Sequence, residues 1–292
     1  MTSEALLLLA RLNLVASAAI LLVLVLRPFV RCRLGAHQAY LLWLTVPVAL
    51  TGAIFPAMES AGPVGLLEHA MSDADAWLAT GARCGVIVGV WGIGALVAVG
   101  VAAWRYAWFL SRERSGLAGP AVVGILSPRL VTPSDFTVRF TPEERRLVRA
   151  HERAHMDRLD PRCNALVLAL QCLNWFNPLV HLAASALRFD QELACDATVM
   201  TRLPTERRRY AETLLRSQHG AAVSPLGCGW SGAGARLLVA RLTTLMQPRP
   251  DAERSDLGDL QLAVLWTLVL AAAWCAQPPD RGPWAIYIVL VN

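Results

Sequence analysis

Two of the six histidines in this 292-residue sequence, His151 and His155, stand four residues apart, with Glu152 directly after the first. On a helix, positions i and i+4 share one face, so both imidazoles can reach a single zinc ion. Glu152 is then placed to take a proton from a water on the metal. A catalytic zinc needs a third protein ligand and an open position for water. The best candidate is Glu192, in the stretch RFDQELACD at 188–196. Asp196, one turn further on, can accept the second ring N–H of a ligand histidine. Cys195 is expected to face away from Glu192 and to be no ligand. His181 lies eleven residues before Glu192, about three turns off, and reads as structural.

These residues need helices to hold them. Thr141-Pro142-Glu143-Glu144 reads as a helix start, with Thr as N-cap, Pro at the first helical position and Glu three residues after the cap. Leu147, Val148, His151, Ala154 and His155 recur at helical spacing, and Asp160-Pro161 ends the segment. A second helix over 179–200 carries Glu192. Between the two, 164–173 is an apolar run too short to span a bilayer, expected to be buried or to lie on the membrane surface. Segments 122–126 and 129–132 flank Ser127-Pro128 and read as a β-hairpin whose edge can hold an extended substrate. Downstream, 204–217 and 236–246 are amphipathic. Arg207, Arg208 and Arg209 form a solvated face, and Tyr210 is an oxyanion candidate that nothing in the sequence places at the site. The Gly/Ser-rich stretch 219–235 reads as a mobile loop.

The rest of the chain points to a membrane. It is 55% hydrophobic with a mean hydropathy of +0.44, too apolar for an ordinary soluble domain. The net charge of +5 comes from arginine alone, since the sequence has no lysine. Those arginines cluster at the ends of apolar runs, which favours a bilayer partner over nucleic acid. Four spans are expected, at about 5–26, 39–57, 84–104 and 257–276. Arg27-Pro28 closes the first, and Tyr40 and Trp43 mark an interface of the second. Arg27, Arg31 and Arg33 and, later, Arg105, Arg112 and Arg114 fall on one side, and the acidic 59–75 loop on the other. By the positive-inside rule the N-terminus is outside and 111–254 is cytoplasmic. The seven cysteines form no C-x-x-C pair and read as buried or membrane thiols.

Taken together, H-E-x-x-H-x-x-R-x-D (151–160), W-F-N-P (175–178) and R-x-D-x-E-x-x-C-D (188–196) resemble the BlaR/MecR family of membrane zinc metallopeptidases. The stretch 120–133 before the zinc helix is also similar. The resemblance implies a mainly α integral membrane protein with four transmembrane helices and a cytoplasmic α+β, gluzincin-like zinc metallopeptidase domain. In that layout 1–110 is a membrane region with three spans, 111–254 the peptidase domain, 257–276 the fourth span and 277–292 a short extracytoplasmic tail. His151, His155 and Glu192 become Zn2+ ligands, Glu152 the general base and Asp196 the outer support. A bacterial inner-membrane protease is implied, cutting a cytoplasmic protein such as a transcriptional repressor. A separate sensing partner or a homodimer is compatible with that role. The departure is C-terminal: the family's best-known members carry a penicillin-binding sensor there, and this sequence stops at Asn292. The competing readings are a housekeeping membrane protease of the HtpX/Ste24 kind and a non-proteolytic signalling protein with a structural zinc. A transporter fits poorly, because the spans lack paired charges and broken helices.

Overall fold

The computed structural model describes residues 2–54, 81–217, 228–229, 235–246 and 256–275. The acidic 59–75 loop and the 277–292 tail lie outside them, as does all of 219–235 except Cys228–Gly229 and Ala235. The chain forms two compact units. One comprises Met1–Leu34, Leu41–Gly94 and Arg254–Asn292, and the other Gly35–Tyr40 and Ala95–Glu253.

The first unit is built from helices of the apolar runs. α1 spans Thr2–Leu34, α3 Thr45–Ile54 and α11 Asp256–Cys275. α3 packs against both α1 and α11. Gly52 permits the close crossing of α3 on α11, because a Cβ there would sit 2.7 Å from the carbonyl oxygen of Leu270. The long helix α4, Gly81–Arg114, begins in this unit and ends in the other. Among the described residues, three helices are long and apolar enough to cross a membrane: Leu6–Leu34, Arg83–Arg114 and Gly258–Cys275.

Two expectations about the spans need correction. Arg27-Pro28 does not end the first helix; α1 continues through Pro28 to Leu34. In an apolar setting, abandoning the helix would expose several backbone groups, whereas Pro28 forfeits only one bond. The expected second span at 39–57 is not one helix either. It is divided into α2 (Ala36–Leu41), a 3-10 turn (Leu42–Leu44) and α3. Its first part, with Tyr40, belongs to the second unit.

In the second unit, α6 (Pro142–Asp157), α7 (Asp160–Leu173) and α8 (Pro178–Arg202) pack together, with α9 (Arg207–Ser217) and α10 (Ala235–Met246) against α6 and α8. The short α5, Phe136–Arg139, precedes them. Phe140, Leu147, Val199, Leu214 and Leu245 meet in their shared core. α6 starts with a complete capping box: the Thr141 hydroxyl accepts from Glu144 N at 3.3 Å, and Glu144 Oε2 accepts from Thr141 N at 2.9 Å. At the start of α8, Asn177 Oδ1 accepts from Leu179 N at 2.9 Å.

A three-stranded antiparallel sheet completes the unit, in the order β2–β1–β3. β1 is Ala121–Val123, β2 Arg129–Val131 and β3 Cys228–Gly229. The hairpin is shorter than expected because Gly124, at φ +103°, turns the chain directly after Val123. β1 pairs with β2 on one edge (Val122 opposite Leu130) and with β3 on the other (Val122 opposite Cys228). A substrate strand therefore could not add to β1 without displacing β3, whereas β2, the other strand of the hairpin, lies at an edge of the sheet.

Candidate metal centre

α6 and α8 bring His151, His155 and Glu192 together. His151 Nε2 and His155 Nε2 are 3.1 Å apart, and the two Glu192 oxygens lie 3.3 Å from the first and 3.6 Å from the second. A tetrahedral ion with bonds of about 2.0–2.2 Å requires donors roughly 3.3–3.6 Å apart, and these three, at 3.1–3.6 Å, lie within about 0.2 Å of that. Both rings are fully buried, and Glu192 is 7% exposed. Glu152, also fully buried, follows His151 on α6.

Each ring is held by its other nitrogen. Behind His151, Nδ1 lies 2.8 Å from the Tyr210 hydroxyl and 3.3 Å from Asp196 Oδ1. Tyr210 in turn donates to the same Asp196 oxygen at 2.6 Å. Arg241 closes this side: two of its nitrogens each reach an Asp196 oxygen at 2.7 Å, and a third lies 2.9 Å from Glu192 Oε2. Behind His155, Nδ1 donates to Asp160 Oδ2 at 2.8 Å. Tyr40 donates to the other oxygen, Oδ1, at 2.9 Å. Both imidazoles are thus fixed with Nε2 turned towards Glu192.

The charges follow from these contacts. Burial disfavours the His151 imidazolium, but hydrogen bonds to Asp196 and Glu192 outweigh it and raise its pKa to about 9 in the metal-free protein. For His155 burial prevails over Asp160, and its pKa falls below the ordinary value. Burial also opposes ionisation of Glu192 and Asp196, yet Arg241 beside them keeps both carboxyls below their usual range.

Cys195 does not face away as the sequence suggested. Three residues beyond Glu192 it shares the inner side of α8, and its Sγ lies 3.2 Å from His155 Nδ1. Burial pushes its thiol pKa well up, so it remains a neutral neighbour behind the ring. Tyr210 reaches the site, but against Nδ1 of His151 and not in the space between the Nε2 atoms. His181 is remote from the centre; its ring bridges Gln171 and the Trp175 carbonyl, each at 3.1 Å.

Three contributors were not assigned from the sequence. Asp160 was read only as a helix end. It turns back on His155 because Leu159 adopts the left-handed conformation, φ 59°, between α6 and α7. Arg241 carried a signal: it sits three and four residues from Leu238 and Leu245, on the apolar face of α10. Tyr40 carried none.

The BlaR1 peptidase M56 family model matches residues 7–116 and 110–245. The regulatory protein BlaR1 of Bacillus licheniformis is 26% identical over 165 residues, which are 56% of this chain and 27% of that protein. The methicillin resistance mecR1 proteins of Staphylococcus aureus (strain Mu50 / ATCC 700699) and Staphylococcus epidermidis are each 28% identical over 111 residues, 36% of this chain and 19% of theirs. The chain therefore spans about a quarter or less of the length of these relatives. With a family match running through both the apolar helices and the histidine–glutamate centre, the chain belongs to the BlaR1 peptidase M56 family.

Proposed function

We propose that this protein is a membrane-embedded zinc endopeptidase that transmits a signal by cutting a cytoplasmic protein. The observation that carries the reading is the donor set: two buried imidazole nitrogens and a carboxylate 3.1–3.6 Å apart, both rings braced from behind by carboxylates. His151, His155 and Glu192 would hold the ion. Zinc bound there supplies a Lewis acid for a peptide carbonyl and acidifies water at neutral pH. Glu152 takes the proton from the attacking water and returns it to the leaving amine. Asp196 and Asp160 hold His151 and His155 in the tautomer that presents Nε2. Among the described residues only three donors face this point, which leaves room for water and suits a catalytic zinc better than a structural one.

The membrane orientation is part of the proposal. Arg31 and Arg33 lie in the last turn of α1, and Arg112 and Arg114 in the last turn of α4. Both arginine-rich ends lead directly into the peptidase unit, which the positive-inside rule places in the cytoplasm of a bacterial inner membrane. The relatives, one named a regulatory protein and the others methicillin resistance proteins, fit a substrate of the repressor class.

The test compares wild type with Glu152→Gln in cells and after purification. One zinc per chain in both, with a cytoplasmic fragment produced only by wild type, is the expected result. Zinc-free protein in both cases would sink the reading. Identical fragment patterns with zinc present would remove the protease and leave a structural metal.

A further inference from the structure

The metal centre has a support that comes from the membrane region of the sequence. α1 ends at Leu34, and Gly35, at φ +96°, turns the chain into α2. The six residues Gly35–Tyr40 join the peptidase unit, while the residues before and after them belong to the other unit. Ala36 and Tyr40, one helical turn apart, pack on Leu193, Ala194 and Phe189 of α8, the helix that bears Glu192. The Arg158 guanidinium lies over the Tyr40 ring, 4.2 Å from its centre, and holds it flat. From there the Tyr40 hydroxyl donates to Asp160 Oδ1 at 2.9 Å, and Asp160 Oδ2 accepts from His155 Nδ1 at 2.8 Å.

Asp160 is fully buried and must orient both oxygens to hold the imidazole. Arg158 Nε also faces Oδ1, but at 3.7 Å, beyond hydrogen-bond reach, so the Tyr40 hydroxyl makes the short bond to that oxygen; without it the carboxylate turns more freely and its grip on the ring loosens. We propose that Tyr40 is a positioning residue for the metal ligand His155, acting through Asp160 and delivered to the centre by the connector that follows the apolar helix α1. This rests on the zinc reading above and adds a residue to it. The chemistry Tyr40 supplies is one neutral hydroxyl donor to a carboxylate, so its removal leaves all three metal donors in place. The path from α1 to the metal ligand is short: the chain runs from Leu34 through Gly35 and the single turn of α2 to Tyr40, and two hydrogen bonds lead from Tyr40 to Asp160 and from Asp160 to His155. No other described segment from the sequence's first ninety residues belongs to the peptidase unit.

The experiment uses the full chain in lipid nanodiscs, as wild type, Tyr40→Phe, Asp160→Asn and the double variant. Zinc affinity is measured by chelator competition, and the cobalt-substituted proteins are compared by their visible absorption. Tyr40→Phe keeps the ring, its packing and the Arg158 contact. It should weaken zinc roughly fivefold, the worth of one hydrogen bond, and shift the cobalt bands, while the metal-free protein stays folded and melts only slightly below wild type. In the Asp160→Asn background the same change should add no further loss, because the route to His155 is already cut. Equal zinc affinity and an unchanged cobalt spectrum in Tyr40→Phe would overturn the proposal, as would fully additive losses in the double variant. If wild type holds no zinc, the functional reading falls and takes this one with it; if wild type holds zinc and Tyr40→Phe holds it as tightly, only this one falls.

Discussion

The two histidines of the centre are each backed by a carboxylate, a tyrosine and an arginine, but the two supports differ in how tightly they are closed. His151 is backed by a charged, closed cluster: Asp196 and Glu192 ionised, Arg241 bridging them, and Tyr210 hydrogen-bonded between ring and carboxylate. All of these partners come from α8, α9 and α10. His155 is backed by Asp160, the Tyr40 hydroxyl and the Cys195 thiol, with the Arg158 guanidinium donating to Cys195 Sγ at 3.4 Å but no nearer than 3.7 Å to Asp160. The consequence is electrostatic. Hydrogen bonds to Asp196 and Glu192 overcome burial and keep a proton on His151, whereas for His155 burial, helped by repulsion from the His151 charge, outweighs the bond to Asp160 and the attraction of Glu192. The metal-free centre is therefore asymmetric, and a metal must displace the proton of His151 to bind.

The heaviest blow to this asymmetry falls on Arg241. Arg241→Met strands Asp196 and Glu192 as buried carboxylates and should cost about 3–5 kcal/mol of folding stability, read by urea denaturation of the metal-free protein. A loss below about 1 kcal/mol would show that Arg241 is dispensable.

The proton on His151 gives the next effect. Because the raised pKa is near 9, zinc affinity should climb about tenfold per pH unit from pH 7 towards 9 and then level off. The sign is set by competition: below pH 9 the ring is occupied by a proton that the ion must expel. Asp196→Asn removes one cause of the raised pKa, so its plateau should begin at lower pH. An affinity flat across this range in wild type would contradict the charged side of the comparison.

On the His155 side, Asp160→Asn should weaken zinc by roughly ten- to a hundredfold with little change in metal-free stability. If the stability loss matched that of Arg241→Met, the two sides would not differ. The smallest change serves as a control away from both. Thr141→Ala removes the α6 cap and should cost about 1 kcal/mol in melting experiments, leaving zinc affinity unaltered in the folded protein.

What could be read in the sequence follows from local rules. His151, Glu152 and His155 share one turn, and Glu192 and Asp196 another, so helical spacing alone aligns them once each helix is recognised. The helix start at Thr141 was legible for the same reason, since a capping box is complete within four residues. The broken second apolar segment was not. Its composition matches a span, but a 3-10 turn at 42–44 divides it and Ala36 and Tyr40 pack on α8, a contact that no hydropathy pattern encodes.

By itself, then, the sequence determined the pieces that are contiguous: the helix of His151 and His155, the helix of Glu192 and Asp196, the three long apolar helices and the family they identify. Tertiary structure alone decided how those pieces are charged and braced. Arg241 meets Asp196 across 45 residues, and Tyr40 meets Asp160 across 120. Asp160 meets His155 only because Leu159 reverses the chain. Such contacts depend on which buried faces pack together, and a buried carboxylate or imidazole takes its protonation from whatever that packing brings within hydrogen-bond reach.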